Sequence, residues 1–330
     1  MPEVSESLTR KMAHLARLEL TAGEVQTFTS QLSDILAYVD QLQKADVTGI
    51  EPMRHAMTAP TQRDVTASGV RLRVAETGAG PPVVLLHGLL VDHRSWDGVM
   101  AVLGHEFRVV APDLPGFGDS EKPPPSRFPY GVAAFSEAIA DLYAGLGLGR
   151  AALVGHALGG AVALTLAAQH PELVQKLVLV DALCYEAPVD LARRLALLPV
   201  VGGFLMKQLW GRAAFRAFFR DRMLSPRAEV PTERIDRYYD AFNTPAARGS
   251  ALATLRATVD LRTVVAYTTR IQTPTLVLWG RGDRVYPAAN GQRLAREIRG
   301  AGFELLDAGH APQEERADDV ARAIARFLKR

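Results

Sequence analysis

Gly155-His156-Ala157-Leu158-Gly159 has the frame of a G-x-S-x-G nucleophile elbow, with alanine in the place of the attacking serine. Such an elbow holds its central residue on a sharp strand-to-helix turn, so that the side chain projects into a site while the flanking glycines avoid clashes. Ala157 keeps the turn and loses the oxygen, so covalent chemistry at that point has no nucleophile to begin it. Cys184 is the only cysteine. It lies just beyond the apolar run ending at Val180-Asp181, but the sequence arranges no acid and base for it, and it reads as a small buried hydrophobe. A single cysteine also excludes an internal disulfide and a zinc site built on paired thiolates.

An elbow needs a sheet and a helix to hold it, and the surrounding chain supplies both. Val83–Leu86, Arg108–Ala111, Ala152–Val154, Leu177–Val180, Thr275–Leu278 and Phe303–Leu306 are short runs apolar enough for a covered parallel sheet. Helical patterns alternate with them, including Phe135 to Leu146 and Gly159 to Gln169. The alternation predicts a doubly wound α/β fold. Between Val180 and Thr275 the strand signal stops for about ninety residues, too long for a simple crossover. That stretch, residues 182–250, is expected to be a helical cap over the site, with the core formed by residues 64–181 and 251–330.

The chain has 330 residues, 48% hydrophobic and 22% charged, with a formal net charge of +2. This balance gives no reason to invoke nucleic acid. The longest apolar stretch, Leu195 to Met206, is broken by Pro199, Gly202 and Gly203 and falls short of the roughly 20 residues that span a bilayer. The first thirty residues carry charges among their apolar positions and lack the core of a secretory signal. The expectation is a cytoplasmic protein without a membrane partner.

Residues 1–57 have a different character. Leu8, Met12, Leu15 and Leu18 mark one side of a short helix. Val25, Phe28, Leu32, Ile35, Val39 and Leu42 step by three and four along a second, which Thr21 and Glu24 begin with a capping box. The pair predicts a helical hairpin followed by a linker over residues 58–63. Its apolar stripe needs a cover, supplied by the chain's own larger domain or by a second copy in a homodimer.

The motifs of residues 64–330 resemble the α/β-hydrolase superfamily. His87-Gly88 follows the strand at Val83, Asp113-Leu114-Pro115-Gly116-Phe117-Gly118-Asp119-Ser120 matches the D-x-P-G-x-G-x-S turn, and the elbow runs into Gly159-Gly160-Ala161. Trp279-Gly280-Arg281-Gly282-Asp283 and then Gly309-His310-Ala311-Pro312 complete the family's order of elbow, acid and histidine. The resemblance implies a mostly parallel eight-stranded sheet. It gives His310 the role of general base and Asp283 that of the carboxylate that fixes its tautomer. It also directs the backbone amides of Leu89 and Leu158 at a developing oxyanion, a contribution of roughly 3 kcal/mol per donor in comparable sites. Asp181 is an alternate acid, less well placed than Asp283. The pocket residues expected are His87, Gly88, Trp96, His156, Trp210 and Phe215.

The opening segment resembles the small C subunit of the tRNA-dependent aspartyl/glutamyl amidotransferase. The likeness rests on His14-Leu15-Ala16-Arg17-Leu18-Glu19-Leu20, on the register from Phe28 to Leu42, and on Val47-Thr48-Gly49-Ile50-Glu51-Pro52 with His55. That family's subunit is a non-catalytic strap, so no catalytic residue is carried over.

Together these features predict a hydrolase scaffold for carboxylic esters or related acyl compounds, inactivated by alanine at the nucleophile position. It calls for neither metal nor organic cofactor. The apolar cap, with Trp210 and Phe215 among many others, points to a small hydrophobic substrate. Arg212, Arg216 and Arg220 recur every four residues along one helix face, either as a solvated stripe or as a device to attract a substrate carboxylate. Two other functions fit the same residues: a lyase or cyclase in which His310 and Asp283 move protons without a nucleophile, and a protein that binds a ligand or partner without turnover.

Overall fold

The computed structural model describes residues 5–15, 20–43, 60–185 and 210–330, in two compact units that divide between Ala56 and Met57. The first unit holds α1 (Glu6–Leu15) and α2 (Ala22–Gln43). The capping box forms as expected: the Thr21 amide donates to Glu24 Oε2 at 2.8 Å and the Glu24 amide to Thr21 Oγ1 at 3.4 Å. Bonds from the Thr21 amide and hydroxyl hold the Glu24 carboxyl below its ordinary value. The helices contact one another, Thr9, Ala13 and Val25 are buried, and the Thr9 and Thr29 hydroxyls lie 2.8 Å apart. Leu8 and Phe28, assigned to the apolar stripes, are 44% and 42% exposed. Spacing marks a helix face, but the azimuth at which two helices meet is a packing outcome. Leu18 and the stretch from Val47 to His55 lie outside the described residues.

The second unit is built on one eight-stranded sheet in the order β1-β2-β4-β3-β5-β6-β7-β8. Its strands are β1 (Thr61–Ala67), β2 (Val70–Thr77), β3 (Pro82–Leu86), β4 (Arg108–Pro112), β5 (Ala151–His156), β6 (Val174–Val180), β7 (Thr275–Gly280) and β8 (Gly302–Leu306). From β4 to β8 every pairing is parallel, and β1 and β2 join antiparallel at one edge. The linker assigned to residues 58–63 is corrected here, because Thr61, Gln62 and Arg63 pair with Glu76, Ala75 and Val74. These residues are polar and exposed, as an edge strand permits, and so lack the apolar signal that marks the central strands.

Alternation along the strands sends side chains to two cores. Val84, Leu86, Leu153 and Leu179 face a large cluster shared with α4 (Val132–Leu146), α5 (Leu158–Gln169) and the cap, while Val83, Leu85, Val154 and Val178 face the cluster under α3 (Asp97–Leu103) and the C-terminal helix Ala317–Leu328. Within the cap the described helices are α6 (Arg212–Phe218), extended by a π-helical turn at Phe219–Met223, then α7 (Thr232–Phe242) and α8 (Pro245–Ala257). Helix α8 runs through residue 250, so the cap boundary set there from sequence moves to Ala257. Next come α9 (Arg262–Thr268), which packs on α5, and α10 (Ala288–Glu297) after β7; α11 (Pro312–Glu315) and α12 (Ala317–Leu328) follow β8.

The most demanding contact in this layout is the approach of α5 to the sheet. A Cβ on Gly159 would stand 2.4 Å from the Leu86 carbonyl oxygen and 2.7 Å from that of His87, both backbone atoms that cannot swing aside. Gly159→Ala is expected to destabilise the protein by about 1–3 kcal/mol through overpacking. Gly249→Ala, inside α8 and with nothing within 4 Å, serves as the control and is expected not to destabilise the protein. Urea denaturation of both variants measures the difference.

Candidate functional site

Strand β5 ends at His156 and α5 starts at Leu158, leaving Ala157 alone to turn the chain. It does so at φ 47° and ψ −112°, a backbone region that costs a residue with a Cβ on the order of 1–3 kcal/mol. Four bonds hold it there: the Ala157 amide donates to the Val180 carbonyl at 3.1 Å, and its own carbonyl accepts from the amides of Leu183 at 2.9 Å, Gly160 at 3.0 Å and Ala161 at 3.2 Å. Ala157 is buried beside Gly88, whose added Cβ would meet the Ala157 methyl at 3.2 Å. Leu158, as the first residue of α5, has an amide that the helix itself cannot satisfy. Thus the tips of β3 and β5 and the start of α5 converge on one methyl group.

His310 lies in the loop between β8 and α11, and the loop after β7 brings Asp283 to it. The His310 Nδ1–H donates to Asp283 Oδ2 at 2.8 Å, with both side chains buried. The other carboxylate oxygen of Asp283 accepts from the Val285 amide at 2.7 Å and the Tyr286 amide at 2.9 Å. The Tyr286 ring packs edge-on against the imidazole, with centroids 5.0 Å apart. An imidazole held this way presents Nε2 as its free proton acceptor. Asp181, at the end of β6, also belongs to this group: the polar atoms of Asp181, Asp283 and His310 lie within 4.8 Å of one another.

His156 stands behind His310, ring centroids 5.0 Å apart, and its Nε2–H donates to the His310 carbonyl at 2.7 Å. It braces the histidine loop from within the core, and the pocket role assigned to it is corrected accordingly. Burial, and secondarily the neighbouring His310, drives the His156 pKa well below the ordinary histidine value. His87 is likewise a structural tie. Its Nδ1–H donates to the Gly88 carbonyl at 2.7 Å, and its Nε2 accepts from the Leu114 amide at 2.9 Å, leaving no ring nitrogen for a substrate. Burial lowers its pKa as well.

The aromatic residues expected to wall the pocket lie elsewhere. Trp96 is fully buried in the core on the other sheet face, among Val83, Leu85 and Met100. Phe215 is fully buried in the cap, stacked on Phe219 and Phe242, and Trp210 joins the same aromatic group. Size and apolarity suited these rings equally to a core, and the core took them. The arginine stripe is also consumed internally. Arg212 pairs with Asp240 at 2.5 Å, Arg216 forks onto Asp236 at 2.6 and 2.5 Å, and Arg220 donates to the Thr232 hydroxyl at 2.5 Å. These bonds tie α6 and the π-helical turn to α7, and the stripe gives no support to an anionic substrate.

Sequence reasoning missed the residues that fasten the His310 loop to the cap. Glu315 accepts from the Gly309 amide at 2.8 Å and from the Ser225 amide at 3.1 Å, and the Ala311 amide donates to the Met223 carbonyl at 3.1 Å. Glu314 accepts from the Tyr238 hydroxyl and pairs with Arg234 Nε at 2.9 Å. Burial raises the Glu314 pKa to about 7 against the pull of Arg234. Two acidic residues shortly after the histidine were the available signal. Beside this seam a small cleft opens between core and cap, lined by Leu90, Val91 and Phe117 below and by Tyr238, Phe242 and Ala247 above.

Among the described residues, two buried groups combine carboxylates with a histidine, Asp181-Asp283-His310 and Asp92-His93-Asp113. In the second, Asp113 Oδ1 already accepts from the His93 amide and Nδ1 at 2.7 and 2.8 Å, and Oδ2 from the Asp119 amide at 2.7 Å. That carboxylate is spent on shaping the Asp113–Ser120 turn. No helix among the described residues is long and apolar enough to cross a membrane.

A native state that keeps His156 neutral binds fewer protons than the unfolded chain once pH falls below about 6.5, the unfolded histidine value. Its contribution to stability is therefore present above that pH and declines as the medium is acidified. His156→Gln, which keeps a donor for the His310 carbonyl without a titrating group, should lose less stability than the parent between about pH 7 and about pH 5. Calorimetric melting at a series of pH values checks this, and parallel slopes for the two proteins would count against it.

Comparison with known proteins agrees with this architecture. The family model of the alpha/beta hydrolase fold matches residues 81–317, and that of the Glu-tRNAGln amidotransferase C subunit matches residues 20–77. The second match runs through β1 and β2, which belong to the hydrolase sheet. An uncharacterized protein of Mycobacterium tuberculosis is 33% identical, over 83% of this chain and 82% of its own. A 2-hydroxymuconate semialdehyde hydrolase of Pseudomonas sp. strain CF600 is 32% identical, over 81% of this chain and 93% of its own. Among solved structures, a thermophilic esterase of Thermogutta terrifontis superposes with a TM-score of 0.69 at 26% identity, covering 82% of this chain and 98% of that one. With a mostly parallel eight-stranded sheet, the family's motifs at its strand ends and this span of matching residues, the chain belongs to the α/β-hydrolase fold family.

Proposed function

We propose that the protein is a scaffold for hydrolysis of carboxylic esters or closely related acyl compounds, and that alanine at position 157 leaves it with a substrate site but no nucleophile. The observation that carries this reading is Ala157 itself, a non-glycine residue held at positive φ at the head of a helix. Alanine gains nothing from that conformation, whereas a serine there would carry its hydroxyl on the same turn, whose neighbour His156 is bonded to the loop that holds an imidazole and a carboxylate already joined to each other. In this reading His310 takes the nucleophile's proton and passes it to the leaving group, and Asp283 keeps the imidazole in the Nδ1–H tautomer and stabilises its cation. The amides of Leu158 and Leu89 receive the charge that builds on the carbonyl oxygen of the tetrahedral intermediate. Water then repeats the sequence on the acyl-enzyme.

Leu90, Phe117 and Phe242 line the cleft between core and cap with apolar surface, which supports a small hydrophobic substrate. Since Arg212 and Arg216 are paired with cap acids, the substrate is taken as neutral. The esterase and the semialdehyde hydrolase among the similar proteins support hydrolysis of a carbonyl compound on this scaffold.

Ala157→Ser is expected to raise hydrolysis of a short p-nitrophenyl ester by on the order of 10³-fold or more over the parent chain, with a burst of the phenolate. His310→Ala in that background should remove most of the gain. A fluorophosphonate probe should label the serine variant and leave the parent unlabelled. An Ala157→Ser variant that hydrolyses no ester faster than the parent would overturn the reading. Turnover by the parent chain that His310→Ala abolishes and Ala157→Ser does not improve would mean that His310 and Asp283 work without a nucleophile.

A further inference from the structure

Asp181 has no part in the mechanism above, yet it is one of the most enclosed polar groups in the molecule. Strand β6 ends at Val180, whose carbonyl holds the Ala157 amide, and Asp181 follows at φ 43°, fully buried. Its own amide donates to the Leu278 carbonyl at 3.1 Å, so the residue is pinned between β5 and β7. One of its oxygens, Oδ1, accepts from the Gly280 amide at 2.8 Å. The other, Oδ2, is buried and meets no hydrogen-bond donor among the described residues.

An ionised carboxylate with one oxygen in that condition would be destabilised, since a buried acceptor without a donor is costly, and more so when charged. The groups around it make ionisation worse. Asp283, from the loop after β7, is the nearest acid, Glu315 from α11 adds a second negative field, and the imidazole of His310 is already bonded to Asp283. Two buried carboxylates within 4.8 Å of each other resist both carrying charge. Between them Asp283 is built to carry it, because three donors point at its oxygens, from Val285, Tyr286 and His310. Asp181 has one. Burial and the charge of Asp283 accordingly push the Asp181 pKa well above the usual carboxylate range.

We propose that Asp181 is held as the neutral carboxylic acid and shares its proton with Asp283, acting as a positioning residue for the acid that orients His310. The protonated Oδ2 then becomes a hydrogen-bond donor. The proposal rests on the reading of Asp283 and His310 as the working pair. A proton donated to Asp283 spreads part of its negative charge toward Asp181, so Asp283 stabilises the imidazolium less than a free carboxylate would. The sign of the effect on His310 separates this arrangement from one in which Asp181 is charged.

The test uses the parent chain with Ala157 in place, so it does not depend on turnover. His310 is followed by NMR pH titration, its signal assigned by loss in His310→Gln, in the parent and in Asp181→Asn and Asp181→Leu. Asp181→Asn keeps the shape and an N–H donor, and the His310 midpoint should stay within about 0.3 of the parent. Asp181→Leu removes the donor, and the midpoint should rise by roughly half a unit or more. A fall of the midpoint in Asp181→Asn would show that a negative charge had been lost, and would overturn the proposal. An unchanged midpoint in a folded Asp181→Leu would overturn it too.

Should Asp181→Leu fail to fold, infrared difference spectra of parent against Asp181→Asn decide the matter. The parent should show a protonated carboxyl C=O band that the variant lacks, and no such difference would sink the idea. Failure of Ala157→Ser to hydrolyse esters would strike the functional reading and leave these results standing.

Discussion

The turn at residue 157 is the constraint on which the rest of this molecule depends. A parallel strand must reverse into a helix that packs back on the same sheet, and the shortest way is one residue at positive φ with no room on either side. Gly155, Gly159 and Gly160 provide that room. A Cβ on Gly155 would meet the Gly159 carbonyl oxygen at 2.2 Å, and one on Gly160 would meet the Ala182 methyl at 2.5 Å. The strain is held by the neighbouring strands, through the Val180 carbonyl and the Leu183 amide. Stability is thus spent to hold a side chain in one direction, although the side chain now present is a methyl group.

Around that turn, several buried polar groups each fix a piece of backbone. His87 ties the tip of β3 to the turn after β4, His156 holds the carbonyl of His310, and Asp113 closes the turn that ends at Ser120. Each is buried, so each bond acts in a medium where leaving it unmade is costly. Asp181 also fixes backbone, through Oδ1 and the Gly280 amide, and it is set apart by a second oxygen left over beside another carboxylate. The histidine loop is held from two sides, by His156 from the core and by Met223, Ser225, Arg234 and Tyr238 from the cap. The cap therefore bears directly on the residue proposed as general base, and a displacement of α7 would be felt at His310.

Legibility in the sequence followed the range of the physics involved. Features written within a few residues were readable: the elbow, the Thr21-Glu24 capping box, the apolar runs of β3 to β8, and the glycines that let α5 approach the sheet. Edge strand β1 was not, because a half-exposed strand needs no apolar pattern and Gln62 and Arg63 look like a loop. Trp96 and Phe215 were placed in a pocket because a large ring satisfies a core and a pocket equally well in one dimension. The arginine stripe failed for a related reason. Helical spacing put Arg212, Arg216 and Arg220 on one face, but Asp236 and Asp240 came to that face on a different helix.

The sequence by itself determined the fold family, the order of its motifs, and the absence of an oxygen at position 157, since these are properties of residue identity and short-range backbone geometry. Only the tertiary structure decided that His310 meets Asp283, that Asp181 joins them, and that the cap grips the histidine loop. Those contacts depend on β6, β7 and β8 lying side by side, with their carboxyl ends on one edge, and on where the cap helices come down. Neighbourhood across a sheet is set by burial of two cores at once, a sum over the whole chain that no short segment contains.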